Sequence, residues 1–167
     1  MYKRDEILNQ VEELAFQYEK EYGGCSQCVI GAVKKALGNI SDDVFKAATG
    51  LAGGLGLTGN NCGALTGGIM VLSVYMGREF DNFSDPERIR FESFRLTRKL
   101  IERYMTEYGS LNCQDIQTRI MGKYFNLRDE KEYSEFIAAG GHDDKCPSVC
   151  GKAARWVVEI LIEEKLI

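Results

Sequence analysis

A chain of 167 residues, 44% hydrophobic and 28% charged, has the length of one domain, 1–167, and the balance of a soluble globular protein. Disordered, collagenous and low-complexity classes are excluded, and a formal charge of -4 has the wrong sign for a protein whose main partner is nucleic acid or an anionic membrane. One histidine rules out a site of several imidazoles, which leaves six cysteines as the outstanding feature.

The first residues run straight into a charged amphipathic pattern with no apolar stretch or cleavage site of a secretory signal, so a cytoplasmic location is expected. Ile7, Val11, Leu14 and Tyr18 predict a first helix, and Val29, Ile30, Val33, Ala36 and Leu37 a second. Further helices are predicted over about 42–53 behind Ser41, and over 62–77 behind Asn61. Another is expected over 86–108, where Ser84-Asp85-Pro86-Glu87 reads as a capping box with proline at the first helical position. Its core stripe is read as Phe94, Thr97, Ile101, Tyr104 and Tyr108. Three more cover about 113–124, 129–138 ending at Gly140-Gly141, and 147–164 with Trp156, Val157, Ile160 and Leu161 on the buried side. Ala47 to Gly77 carries no charge and is long enough to span a bilayer, but glycines and two asparagines interrupt it, so buried protein is the reading. The expected fold is all-α, a compact helical bundle of about six to eight helices.

All four cysteine-bearing segments open predicted helices: Cys25-Ser26-Gln27-Cys28 after Gly23-Gly24, Cys62 after Asn60-Asn61, Cys113 after Asn112, and Cys146 before Pro147 with Cys150 one turn on. First-turn N–H groups and the helix dipole stabilise a thiolate, so depressed thiol pKa values are expected there. A thiolate attacks disulfides, reduces oxidants or ligates a soft metal. In a chain without a secretory signal, that places redox or metal chemistry ahead of a static disulfide framework. The plain alternative for any one cysteine is a small buried hydrophobe.

Gly54 to Gly59 spells GxGxxG, but a helix rather than a strand precedes it, so a dinucleotide site is set aside. Glycines 59, 63 and 67 instead strip bulk from one face around Cys62, allowing close helix approach or a homodimer. His142, just before Cys146, can donate a proton to a leaving thiolate or ligate a metal; a solvated loop histidine is the plainer reading. Arg88, Arg90, Arg95, Arg98, Lys99 and Arg103 alternate with Glu87, Glu92 and Glu102, which reads as an ion-paired solvated face, with an acidic redox partner as the alternative.

In order, Cys25, the run Asn61-Cys62-Gly63-Ala64-Leu65-Thr66-Gly67, Cys113 and Cys146 resemble the small redox-active proteins named for their C, GCAxxG, C, C signature. Asn61 replaces the leading glycine and Gly63 the alanine; Cys28 and Cys150 are additional. The resemblance implies a helical redox protein, and a likeness to the cluster-bearing part of split-Soret cytochrome c implies a two-iron, two-sulfur centre. The leading expectation is thiol-based redox chemistry, dithiol/disulfide exchange or electron transfer, needing no cofactor. Cys25, Cys62, Cys113 and Cys146 are its catalytic set, Cys28 and Cys150 its secondary thiols. Asn61, Gly63 and Gly67 support the helix start, and His142 is the proton donor. Its partner is a redox protein or a small oxidant. The alternatives are an iron-sulfur electron carrier with the same four cysteines as ligands, and a zinc-stabilised or purely structural helical protein.

Overall fold

The computed structural model describes residues 2–167, and the fold is all-α, with eight helices of six residues or more and no strand among the described residues. With the four-residue α4 added, the helices in chain order are α1 (Tyr2–Tyr22), α2 (Cys25–Leu37), α3 (Asp42–Ala47), α4 (Ala52–Leu55), α5 (Gly63–Tyr75), α6 (Ile89–Tyr108), α7 (Cys113–Met121), α8 (Glu130–Ala138) and α9 (Cys146–Glu163). The core is built by α1, α2, α5 and α9, with α6 laid over α5 and α9.

The sequence of α5, GALTGGIMVLSVY, contains no charge, as suits a helix enclosed by neighbours. Its glycines set how closely they come. A side chain on Gly67 would collide with the Ser26 backbone of α2, with Ser26 Cα only 2.9 Å from the added carbon, and one on Gly68 would meet Leu100 and Val157. The glycine face that the sequence offers to a second copy is therefore taken by α2 of the same chain. Gly59 lies outside α5, in left-handed backbone, and faces the Tyr124 hydroxyl.

Several expected boundaries move for local reasons. The predicted helix 42–53 is divided: α3 ends at Ala47, a 3-10 turn follows over Thr49–Leu51, and Gly53 and Gly54 take left-handed backbone (φ 64° and 74°) that breaks α4 internally. Ser41 does cap α3, its hydroxyl accepting from the Val44 N–H at 3.4 Å. The capping box at Ser84 does not form: Pro86 lies outside α6, and Asp85, itself buried, accepts from the N–H of Ile89 at 2.6 Å and Arg90 at 3.2 Å. The α6 stripe is shifted to Ser93, Leu96, Leu100, Tyr104 and Tyr108, with Phe94 half exposed. Asn61 is not the cap of α5; Cys62 holds that position, and Asn61 pairs with Asn112 in an isolated antiparallel bridge. The basic side of α6 is largely ion-paired, Arg95 and Lys99 to Glu164 and Arg103 to Glu159 and Glu163, the solvated face expected from its alternating charges. No helix among the described residues is long and apolar enough to cross a membrane.

Gly67→Ala is expected to destabilise the fold by about 1–3 kcal/mol through overpacking against Ser26, read as a lowered denaturant midpoint. Gly109→Ala, with open space around it and only the left-handed backbone (φ 72°) to strain, should cost less, about 1 kcal/mol.

Candidate redox site

Two left-handed glycines, Gly23 and Gly24, turn the chain from α1 into α2 and set Cys25 as the first residue of α2. Its sulfur fills the space that a side chain on Gly63 would take, so it sits beside the residue that follows Cys62. The Gly53 N–H points at the same sulfur, which gives the strained α4 turn a local role. Cys62 caps α5, and the N–H groups of Ala64 and Leu65 in the first turn face its sulfur.

Backbone hydrogen bonds tie this helix start to the next one. The Cys62 N–H donates to Leu111 O at 2.8 Å, the Cys113 N–H to Asn60 O at 2.6 Å, and the Gln114 N–H to Gly59 O at 3.0 Å. The buried Gln117 amide donates to Cys113 Sγ at 3.4 Å and accepts from the Phe125 N–H at 3.0 Å. Cys146 is different: it joins a π-helical turn, Gly141–Lys145, to α9, and its N–H already bonds Gly141 O. Cys25, Cys62 and Cys113 thus stand where a helix begins out of non-helical backbone, whereas Cys146 continues an existing helical turn. One turn into α9, the buried Cys150 thiol donates to Cys25 O at 3.8 Å.

Cys25, Cys62, Cys113, Cys146 and Cys150 all line one cavity of about 440 Å³; Cys28 does not, and its buried thiol donates to Gly23 O at 3.1 Å. A family model for "Putative redox-active protein (C_GCAxxG_C_C)" matches residues 23–160, which contain all six cysteines. The chain belongs to the C_GCAxxG_C_C family. A redox role is what that membership supports, and Cys25, Cys62, Cys113 and Cys146 are four of the five cysteines that line the cavity. No curated protein and no solved structure matches the chain.

Burial reverses the expected thiol acidity. It pushes the thiols of Cys25, Cys146 and Cys150 well above the ordinary range, with the Glu19 carboxylate adding to the rise in each. Cys113 is pushed up to about 12 by burial and by the charge of Cys62, against a lowering by Gln117. Cys28 is raised by burial and Glu19. Cys62 also rises through burial, opposed by the N–H groups of Leu65 and Ala64 and by the Tyr104 hydroxyl. The helix-start effect is therefore present at Cys62 but outweighed by desolvation.

Three groups at the site were not singled out from the sequence. Glu19, only 3% exposed, lines the cavity, and its Oε2 has no hydrogen-bond partner. The Tyr104 hydroxyl, wholly buried and likewise without a partner, faces Cys62 and would donate to a thiolate there. Gln117 is the third. Glu19 had a signal: it continues the i, i+4 line of Val11 and Ala15, putting a carboxylate at a core position. His142 is not a solvated loop residue. Its ring packs edge-on against Phe136 at 5.1 Å, it lines the cavity, and Nδ1 stands 3.2 Å from Glu19 Oε1 at an ion-pair distance without an aligned hydrogen bond.

Among the described residues no three Cys, His, Asp or Glu groups stand together so as to hold a metal ion.

With raised thiol pKa values, alkylation of the native protein by iodoacetamide is expected to keep accelerating by about tenfold per pH unit beyond pH 9, where an ordinary cysteine levels off. A plateau near pH 7 would instead mark a low-pKa thiolate. Glu19→Gln removes a negative charge that opposes ionisation, so the same profile should move to lower pH, with rates at pH 9 up by about threefold to tenfold. Stability follows the same logic: folding raises these pKa values, so the folded chain keeps protons that the unfolded chain loses above about pH 8.5. Under reducing conditions the melting temperature is expected to hold below that pH and to fall as pH climbs beyond it.

Proposed function

We propose that the protein is a thiol-based redox protein in which Cys25 and Cys62 form the central dithiol/disulfide pair, with Cys113 and Cys146 completing the site. The observation that carries this reading is that the Cys25 sulfur lies against Gly63, directly beside Cys62, inside a cavity lined by all four signature cysteines.

One thiol of the pair gives up its proton and attacks a sulfur of an oxidised substrate, a disulfide on a partner protein or a small molecule. A new S–S bond forms as the substrate's S–S bond breaks. The leaving thiolate takes a proton, for which His142, held beside Glu19, is the donor. The second cysteine then attacks the first, closing Cys25–Cys62 and releasing the other substrate sulfur, which takes the second proton. The chain's dithiol has been oxidised by two electrons and the substrate disulfide reduced to two thiols. Cys28 and Cys150 act as secondary thiols.

Two physical features support this chemistry in a buried setting. Both end states, dithiol and disulfide, are uncharged, so neither incurs the cost of a charge in an apolar cavity. Only the attacking thiolate is charged, and for Cys62 the N–H groups of Ala64 and Leu65 and the Tyr104 hydroxyl face that sulfur.

Protein purified without oxygen is expected to be colourless and to gain two titratable thiols on reduction after mild oxidation. Cys25→Ser and Cys62→Ser should each abolish that gain, while Cys28→Ser keeps it. Visible absorbance with stoichiometric iron and sulfide, or an unchanged thiol count, would contradict the reading.

A further inference from the structure

A second cavity, of about 730 Å³, shares Tyr22 and Gly23 with the cysteine cavity. That volume is in the range of small-molecule sites. Its floor is one face of α2, where Gln27, Gly31 and Lys35 follow at four-residue spacing; Tyr18 at the end of α1 and Phe45 of α3 form its walls. Gly31 holds the slot open. A side chain there would come within 3.4 Å of the Phe45 ring and 3.6 Å of the Tyr18 ring, so the two rings flank a bare strip of helix.

The polar groups select the charge of the occupant. Lys34 is committed to Ile40 O and to Asp42 at 3.1 Å, which neutralises the one carboxylate on the wall. Lys35, one turn beyond Gly31 and exposed, pairs with no carboxylate among the described residues, and it leaves the cavity with a net positive charge. Gln27 gives its amide N–H to Phe45 O at 3.1 Å, which fixes that wall.

We propose that this cavity binds a planar aromatic anion, its ring lying over Gly31 between Tyr18 and Phe45 and its anionic group at Lys35. Offset stacking on the two rings supplies the affinity and Lys35 the preference for charge. Binding does not depend on the redox reading above, and variants of Cys62, which lies outside this cavity, keep it.

The test is equilibrium titration of the full chain with flavin mononucleotide and with anthraquinone-2-sulfonate, followed by ligand fluorescence or by calorimetry. At least one is expected to bind saturably in the micromolar range. Lys35→Ala should weaken it roughly tenfold, and riboflavin, which lacks the phosphate, should bind no better than flavin mononucleotide does to Lys35→Ala. Phe45→Ala, a change at a partly exposed side chain, should weaken ring binding, and Cys62→Ser should leave it unchanged. Gly31→Val, confirmed as folded by circular dichroism, should fill the slot and remove binding. If Gly31→Val does not fold, Phe45→Ala and Lys35→Ala decide. No saturable binding of either anion up to millimolar concentration, or binding that Lys35→Ala and Phe45→Ala leave unchanged, overturns the proposal.

Discussion

The site depends on how closely α2 and α5 cross. With no side chain at Gly63 or Gly67, α5 comes up against Cys25 and Ser26, and the two helices start side by side with a cysteine at each start. Buried Ser26 extends the consequence, because its hydroxyl donates to Ala48 O at 2.8 Å and anchors the segment leading into the α4 turn. That turn, through its left-handed glycines, brings the Gly53 N–H to the Cys25 sulfur. On the other side, backbone hydrogen bonds from Cys62, Cys113 and Gln114 lock the start of α7 to the start of α5. The helix α9 closes the arrangement when Cys150 donates to Cys25 O. A methyl group at position 67 would push on the first link of this chain of contacts.

Closeness has an electrostatic consequence. Thiols gathered in a buried cavity resist ionisation because each charge is desolvated and repelled by its neighbours, and Glu19 adds a carboxylate to the same wall. Such a site holds its protons. Chemistry that starts and ends uncharged suits it, and chemistry needing several simultaneous thiolates would need a compensating cation at the same place. The 3.2 Å contact between Glu19 and His142 places the chain's single imidazole on the wall of the cysteine cavity.

Much of this was legible from the residues. Helical periodicity located nearly every long helix, since apolar spacing reports which side of a helix is covered whatever covers it. Glycines at 63 and 67 marked a close approach because no side chain can take part in one. Other features were hidden because they are set by tertiary surroundings. The break at Gly53-Gly54 reads locally as tolerable glycine in a helix. Asp85 outcompetes Ser84 as a cap because the chain enters α6 through left-handed backbone at Asp85 and Arg88. Thiol acidity was misjudged because a helix start is visible in sequence, whereas burial by α1, α6 and α9 is not. Tyr104 reads as core from its spacing, and only its unpartnered hydroxyl beside Cys62 separates it from its neighbours.

The most direct measurement is peptide mapping by mass spectrometry of the fully reduced protein after stepwise oxidation, with free thiols alkylated under denaturing conditions. If α2 and α5 present one redox pair, the first disulfide to accumulate joins Cys25 to Cys62 within a single chain. A first disulfide that excludes Cys62, or that links two chains, would contradict the account.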